Sequence, residues 1–392
     1  MRRLSLPERR ARLVHRHFLA PDNRAGSVGE VAGGLVGLHA TDPATVFLAA
    51  RARLREPSVE EVERSLYEER SVLRMIGMRR TMFVLPLDLA AVVQAACTTG
   101  IAAAQRRRYA KLMEAGGIAR DGAAWLDAAG RETLAALAAR GEAFAVELSA
   151  DVPRLREKLT FGQGRKWAGS QSMTTWVLFL LAAEGHIVRG PPRGAWTASQ
   201  WRWVPVDSWL GAPLPPVDGR AARVELVRRW LGAFGPGTLT DLRWWTGLTA
   251  GEVGKALGAI APVEVELDDG RPGLVLPGDD GPVPVPEPSA ALLPALDPTT
   301  MGWKERAWYL GEHGPSLFDR NGNAGPTVWW DGRIVGGWAQ RKDGEVVYRL
   351  LEDAGTAAAE AVVAEASLLE TWLGDVRLTP RFPTPLQREL TA

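Results

Sequence analysis

The predicted helices and strands of this chain recur in the same order. Three times along the sequence, short helical segments are followed by two strand-like segments joined by a turn. The predicted hairpins lie at residues 71–86, with a turn near 77–80, at 186–204 and at 263–277. Helices followed by a two-stranded wing are typical of a winged helix, so the recurrence predicts a tandem array of such units.

The third unit carries a clear helix-turn-helix signal. Residues 238–257 contain two apolar-periodic stretches separated by Gly247, and Thr249 suits the N-cap of the second helix. Glycine suits the turn because it adopts left-handed backbone angles without steric cost. This segment is therefore expected to form two helices around a tight turn.

The C-terminal part of the chain changes to mostly β patterning. A Pro-, Gly- and Asp-rich linker at 277–288 precedes it, and an Asp-Gly turn at 331–332 joins two strands. A helix is predicted at 357–373, and the tail from Arg381 is predicted to be extended. This segment therefore indicates a small β domain with a helix packed against it.

These patterns together predict an α+β fold, with tandem winged-helix units followed by a small C-terminal β domain with one packed helix. The length of 392 residues suits several compact units. The predicted segments are a first winged-helix unit at 1–140 that carries the candidate active-site motif, a second unit at 141–218, a third at 219–280 and the β-rich domain at 289–392.

Charge and cysteine content exclude several classes of function. The chain has 47 Lys and Arg against 46 Asp and Glu, a net charge of +1, which argues against a polybasic protein but allows a local basic groove. Its one cysteine, Cys97, excludes an intrachain disulfide and a Cys-based zinc site. No His, Asp and Glu cluster has the spacing of metal ligands, so we predict no metal and no cofactor.

The basic N-terminus is not followed by a long apolar run, so no signal peptide is predicted. No stretch approaches the ~20 apolar residues that span a bilayer. We therefore expect a cytoplasmic monomer without membrane contact, associated with the nucleoid if it binds DNA. The 16 Trp against four Tyr indicate core packing or a surface on which bases stack, and their apolar, periodic contexts favour the core.

The segment 34–53 is the strongest candidate for a functional motif. A Gly-rich apolar stretch leads into His39, Thr41 and Asp42, and Pro43 suits the first turn of a helix capped by Asp42 or Thr41. If residues 38–41 are extended, His39 and Thr41 point to the same side. Polar groups beside a helix N-terminus can hold a water or an anion. The alternative is a buried, structural histidine beside an ordinary helix cap.

Four dispersed motifs follow one another in the order of a known family. They are Gly-Leu-His-Ala-Thr-Asp-Pro at 37–43, Met-Arg-Arg-Thr-Met-Phe at 78–83, Leu-Leu-Pro-Ala-Leu-Asp-Pro-Thr-Thr-Met-Gly at 292–302 and Asp-Gly-Arg-Ile-Val-Gly-Gly-Trp at 331–338. From about residue 8 to 380 the chain resembles the bacterial winged-helix DNA-binding superfamily that contains azinomycin-resistance-type glycosylases. These enzymes remove bulky alkylated bases and unhook interstrand crosslinks. The resemblance implies tandem winged helices around a concave basic surface for double-stranded DNA, closed on one side by the β domain.

The resemblance also implies a place for the chemistry. The enzymes of that family carry a Gln-x-Gln or Gln-x-Asp pair that holds the attacking water, and His39 and Thr41 occupy the matching positions here. A histidine can position or deprotonate a water near neutral pH. Asp42 can supply the carboxylate that stabilises an oxocarbenium-like sugar. The candidate catalytic residues are therefore His39, Thr41 and Asp42.

Basic side chains near the predicted helix ends, wings and loops are candidate DNA contacts. For the wing and helix-end arginines the alternative is a solvated turn or helix face. The candidates are Arg51, Arg53, Arg79, Arg80, Arg106, Arg107, Arg165, Lys166, Arg189 and Arg193.

Three functions stay open at this point. The first is a monofunctional DNA glycosylase for bulky or alkylated bases, with water held by His39 together with Thr41 or Asp42. The second is a non-catalytic tandem winged-helix DNA-binding protein, such as a lesion sensor or a regulator. The third is an interaction scaffold of the same architecture that binds protein instead of DNA.

Overall fold

The computed structural model describes residues 1–161 and 169–392. Its helices are α1 (Leu6–Arg16), α2 (Val28–Gly34), α3 (Pro43–Arg51), α4 (Val59–Glu63), α5 (Leu87–Val93), α6 (Thr99–Ala115), α7 (Gly122–Arg140), α8 (Ala145–Asp151), α9 (Met173–Ala183), α10 (Val206–Leu210), α11 (Gly219–Phe234), α12 (Leu239–Thr246), α13 (Ala250–Ile260), α14 (Ala307–Leu310), α15 (Gly314–Leu317), α16 (Thr356–Leu373) and α17 (Pro385–Leu390). Its strands are β1 (Leu38–His39), β2 (Val72–Ile76), β3 (Met82–Pro86), β4 (Lys158–Phe161), β5 (Gly169–Ser172), β6 (Ile187–Pro192), β7 (Trp201–Pro205), β8 (Val263–Glu266), β9 (Pro272–Val275), β10 (Ala290–Leu293), β11 (Thr327–Trp330), β12 (Arg333–Gln340) and β13 (Val346–Leu350). The predicted α+β class is confirmed.

The first sheet is antiparallel, in the order β1-β3-β2. Strands β2 and β3 form the predicted hairpin, whose turn contains Arg79 and Arg80 at φ values of 54° and 61°. Left-handed angles at two non-glycine residues are unusual, and they direct the chain sharply back at the tip of the hairpin. The predicted turn near residues 77–80 is therefore confirmed.

The two faces of this sheet enter different parts of the core. His39 is paired with Phe83, and Leu38 and Arg74 are both paired with Val84. Since paired residues project to the same face, His39 and Phe83 lie on one face and Arg74 lies on the other. The Phe83 face packs against residues of α5, α11 and α12, whereas the Val84 face packs with residues of α3 and of the C-terminal sheet.

Two further hairpins follow helices as predicted. Strands β6 and β7 pair from Ile187 to Trp201 with an irregularity after Arg189, and β8 pairs with β9. Helices α12 and α13 both begin with a capping box, and Gly247 joins them at a φ of 72°. The β4–β5 hairpin is an additional element that the sequence pattern did not predict.

The packing does not follow the predicted segment boundaries. Helices α6 and α7 share a core cluster with α9 and β6–β7, so the boundary at 140/141 does not coincide with a break in packing. The largest cluster contains residues from α1 to α17. Its fully buried indoles include those of Trp230, Trp245 and Trp329, as the core interpretation of the tryptophans predicts.

The C-terminal sheet has the order β10-β11-β12-β13, and α16 packs against β10 and β13. Gly336 is required in β12, because a Cβ there would lie 2.1 Å from the Arg349 carbonyl oxygen. The prediction of one packed helix and an extended tail was wrong. Helix α17 begins at a Thr384 cap and packs against β12, and α14 and α15 add two short helices.

Residues Leu87–Ala115 form one continuous helical run of 29 residues, through a π-helical turn at Gln94–Thr98. Its length and apolar composition meet the criteria for a membrane span, although no stretch of the sequence was expected to do so. About 44% of its most apolar window is buried within the protein, and the core helix of a large domain meets the same criteria. Length and composition alone therefore do not assign this run to a membrane.

Candidate functional site

The predicted motif forms a two-residue strand that leads directly into helix α3. The Gly-rich stretch before it allows close packing, since Gly37 has a φ of 111° and a Cβ there would lie 2.6 Å from Leu85. Asp42 caps the helix, with Oδ1 accepting a hydrogen bond from the Ala44 amide at 3.1 Å, and Pro43 occupies the first turn. The predicted helix start is confirmed, with Asp42 as the cap.

Asp42 is half-buried among cationic groups. Burial raises the pKa of its carboxyl, while its hydrogen bond to Ala44 and the charges of Arg381 and Arg74 act in the opposite direction. The Arg381 guanidinium also donates to the Thr41 carbonyl at 3.3 Å. Asp42 lines a small recess of about 40 Å³, and Gln387 forms another part of its wall. The Asp42 carboxylate is thus partly exposed, and the hydrogen bond from Ala44 and the two arginine charges stabilise its ionised form.

His39 lies in the core, on the Phe83 face of the first sheet. Its side chain is 2% exposed, and its ring centroid is 4.6 Å from that of Phe83. Within residues 1–161 and 169–392, neither ring nitrogen has a hydrogen-bond partner. Burial, followed by the charge of Arg79, lowers the pKa of the imidazole to about 3. His39 is therefore a neutral group enclosed by packed side chains.

The structure does not join His39 to the polar groups at the helix N-terminus. The backbone is regular through His39 and bends at Thr41 and Asp42, so strand alternation does not extend to Thr41. The charges that act on the two titratable groups also differ, because Arg79 acts on His39 whereas Arg381 and Arg74 act on Asp42. The prediction that His39 and Thr41 point to the same side requires an extended backbone from 38 to 41. The strand ends at His39, so this requirement is not met.

A much larger cavity, of about 440 Å³, lies between strand β2, helix α9 and the β6–β7 hairpin. Most of its wall is apolar or aromatic, including Phe144, Phe179 and Trp201. Arg74 and Arg189 supply its charged lining. The volume lies in the range of pockets that bind small organic groups.

Arg74 connects this cavity to the helix N-terminus. Its side chain is 3% exposed, and its Nη1 donates to the Ala40 carbonyl at 3.4 Å. The carbonyl belongs to the residue two positions before Asp42, and the Asp42 charge acts on the Arg74 guanidinium. The half-open carboxylate and the cavity are therefore neighbouring parts of one region.

The comparisons with known proteins decide the family. A sequence model of AlkZ-like DNA glycosylases matches residues 32–372. The chain belongs to the AlkZ-like DNA glycosylase family. Its fold is similar to that of the DNA glycosylase AlkZ of Streptomyces sahachiroi, with a TM-score of 0.73 at 24% sequence identity, over 97% of this chain and 100% of that one. No curated protein sequence matches the chain.

In this AlkZ-like protein, two of the predicted DNA contacts are structural instead. Arg53 is fully buried, and its guanidinium pairs with Asp297 and also donates to Thr299 and to backbone carbonyls. Arg51 is 9% exposed and donates to Glu365 at 3.0 Å. Arg51 belongs to α3, which is buried along its whole length, and Arg53 follows this helix directly. The structure therefore buries both side chains in ion pairs and does not present them at the surface for DNA contact.

The remaining predicted contacts are spread over several surfaces. Arg79 stacks on Trp244 at 4.1 Å, and exposed Arg80 donates to Gln105. Arg106 pairs with Glu184 and Asp127, which neutralise it, whereas Arg107 is exposed. Arg193 is exposed near the tip of the β6–β7 hairpin. Arg165 and Lys166 lie outside the described residues.

Sequence reasoning missed Arg74 and Arg381 as parts of the site of this family member. Arg74 did carry a signal, because a charged residue in the middle of the otherwise apolar strand β2 is rare unless it has a function or a partner. Arg381 carried none, since it follows a proline in a tail with no periodicity. Among the residues that the structure describes, no group of three His, Cys, Asp or Glu could hold a metal ion.

Proposed function

We propose that this AlkZ-like protein is a monofunctional DNA glycosylase that removes bulky or alkylated bases from duplex DNA. In this proposal the attacking water is held by Asp42 with Thr41. The observation that carries it is the half-buried Asp42 carboxylate beside a recess of about 40 Å³. A space of that size is large enough for a water, which needs ~10–15 Å³.

The reaction requires no cofactor. The bond between the sugar C1′ and the base nitrogen breaks, and its electron pair leaves with the base. An alkylated ring nitrogen makes the base cationic, so it departs as a neutral group. The Asp42 carboxylate stabilises the positive charge that develops on the sugar, then accepts the proton of the water as its oxygen bonds to C1′.

His39 has a different role in this proposal from the one that the sequence suggested. An imidazole whose pKa is lowered to about 3 is a weak base, and taking up a proton would place an unpaired charge in the core. We therefore assign His39 to the support of strand β1 and of the backbone that positions Asp42.

The proposal includes the architecture that the family resemblance implies. Helices followed by the hairpins β2–β3, β6–β7 and β8–β9 are assigned as tandem winged-helix units within 1–140, 141–218 and 219–280, with 289–392 as the β-rich domain. Exposed Arg80, Arg107 and Arg193 would contact phosphates of double-stranded DNA. The protein would act as a monomer in the cytoplasm, where the DNA is.

A second candidate function is a non-catalytic DNA-binding protein of the same architecture. The burial of His39 favours it, because this side chain occupies a position at which the enzymes of the family hold their water. A lesion sensor needs the DNA surface and the deformability of damaged DNA, but no water-activating group.

Base release from a duplex that contains one N7-methylguanine distinguishes the two functions. We expect wild type to release the base, and Asp42→Asn to lose about 100-fold or more in rate, since general-base catalysis contributes about that much. Asparagine caps helices as well as aspartate does, so Asp42→Asn should preserve α3. Thermal unfolding of the variant verifies that it folds.

Binding of the same duplex, followed by fluorescence anisotropy, completes the experiment. Unchanged binding by Asp42→Asn with lost release supports the glycosylase proposal. Binding by wild type without any base release supports the second candidate instead. Equal release by wild type and Asp42→Asn would overturn the role of Asp42.

A further inference from the structure

The cavity of about 440 Å³ contains two guanidinium groups that have little compensation for their charge. Within the described part of the chain, Arg189 has no carboxylate partner, and burial together with the charges of Arg74 and Arg381 lowers its pKa to about 10. Arg74 is almost fully buried, and its Nε has no hydrogen-bond partner among the described residues. Burial lowers the pKa of its guanidinium, and the Tyr67 phenol and then the Asp42 carboxylate act in the opposite direction. Neither guanidinium forms an ion pair among the described residues, and a buried cation without a paired carboxylate is costly, so this end of the cavity favours an anionic ligand.

The rest of the cavity favours a flat apolar group. The Trp201 ring lies 4.5 Å from the Arg189 guanidinium carbon and 5.2 Å from that of Arg74, so both cations contact the same indole. Phe144, Leu178 and Phe179 continue the wall away from the charges. Aromatic walls of this kind hold bases by stacking, with little dependence on sequence.

We propose that this cavity receives the everted damaged nucleotide, with its phosphate on Arg74 and Arg189 and its enlarged base along Trp201 and the apolar wall. The inference rests on the glycosylase function proposed above, and it names the part of the molecule that would select bulky planar lesions. Enzymes that act on a base extrude it from the stack into such a pocket.

The position of the cavity relative to Asp42 fits this assignment. Arg74 lines the cavity and also donates to the Ala40 carbonyl, close to the N-terminus of α3. A phosphate on Arg74 therefore brings the attached sugar towards Asp42, while the base continues into the apolar part. A base enlarged by a planar adduct fills more of the cavity than a normal base and gains more contact with its wall.

Ethenoadenosine monophosphate is a suitable probe, because it combines a planar base adduct with a phosphate and is fluorescent. We expect wild type to bind it about tenfold more tightly than ethenoadenosine, since charge-assisted hydrogen bonds to phosphate are strong. Arg189→Gln should remove that difference. Arg154→Gln, which removes an arginine paired with Glu132 outside the cavity, should keep it.

A second pair of variants tests the cavity by obstruction. Val146 is 67% exposed at the cavity lining, so Val146→Trp narrows the mouth without disturbing the core, and binding of the probe should fall by about tenfold. Val363→Trp is the matched control, because Val363 is 52% exposed on α16 and does not line the cavity. Thermal unfolding of all variants verifies that they fold.

The outcomes separate this inference from the proposed function. Probe binding that depends on Arg189 and Val146 supports the cavity even if wild type releases no base, which would overturn only the glycosylase proposal. Base release by a wild type that does not bind the probe, or whose probe binding is the same in Val146→Trp and Val363→Trp, overturns the cavity assignment alone.

Discussion

Arg53 and Asp297 form a bidentate ion pair in which neither side chain has exposed surface. Nη1 lies 2.9 Å from Oδ2 and Nη2 lies 2.6 Å from Oδ1, although the residues are 244 positions apart in the chain. The guanidinium also donates from Nε to the His17 carbonyl at 3.1 Å. This pair therefore fixes the segment that follows helix α3 to the connection between strands β10 and β11 of the C-terminal sheet.

Removing one member of this pair should be strongly destabilising. Arg53→Met leaves the Asp297 carboxylate buried without its counter-charge, and such a loss costs about 3–5 kcal/mol of unfolding free energy. Urea denaturation of wild type and variant measures it. As a control, Arg64→Met removes an exposed arginine that pairs with Glu61 and Glu69, and should cost less than about 1 kcal/mol. Equal losses in the two variants would contradict the structural role of Arg53.

The burial of His39 predicts an acid-sensitive term in stability. Its pKa is lowered from 6.5 to about 3 in the folded protein, so the unfolded chain binds one more proton between these values. The contribution of His39 to the unfolding free energy is therefore fully present above pH 6.5, and it decreases as the pH falls towards 3. His39→Phe should flatten the dependence of unfolding free energy on pH by about 1.4 kcal/mol per pH unit in that window.

Urea unfolding at several pH values checks the effect of His39→Phe. His186→Phe, at an exposed histidine, is the control for loss of an imidazole, and it should not reproduce the flattening seen in His39→Phe. Since replacing a buried polar group without partners by an apolar ring is nearly neutral, His39→Phe should also keep its stability at pH 7 and retain base release. Loss of base release in a stable His39→Phe variant would show that the imidazole takes part in the reaction.

Local signals account for the parts of the fold that the sequence predicted. Ser27, Asp42 and Thr249 each cap the helix that follows them, and Gly247 adopts the left-handed turn expected of it. These features depend on a few neighbouring residues, so they can be recognised without the tertiary structure. The same is true of the β2–β3 turn at Met78–Arg80.

Long-range packing accounts for the rest. The motif drew attention to His39, yet only the pairing with Phe83 and the packing of α12 decide that the imidazole is enclosed. Likewise, Arg53 follows an apolar helix in a basic stretch, and nothing local indicates its partner Asp297. Arg74 and Arg381 meet near Asp42 from positions about 300 residues apart in the sequence, beyond the reach of any spacing argument.

Salt dependence should distinguish the exposed arginines from the paired ones. Arg80 is exposed at the tip of the β2–β3 hairpin, whereas Arg106 is held by Glu184 and Asp127. If Arg80 contacts a phosphate, Arg80→Ala should reduce the slope of log affinity against log salt by about 1. Arg106→Ala should leave the slope unchanged. Fluorescence anisotropy with an undamaged duplex measures both slopes. Equal slopes for Arg80→Ala and wild type would show that the tip of the β2–β3 hairpin does not contact DNA.

The charge of Arg381 should determine where base release fails in acid. Asp42 must be ionised to accept a proton, so the rate falls as the pH decreases through its pKa, which burial raises above 3.8. Arg381 opposes that shift, and Arg381→Gln should therefore raise the pKa further and move the acid limb of kcat/KM to higher pH. The plateau at higher pH should remain, because Asp42 is ionised there in both proteins. Arg388→Gln, at an exposed arginine on α17, is the matched control. An acid limb that moves to lower pH, or moves equally in the control, would exclude Asp42 as the titrating group.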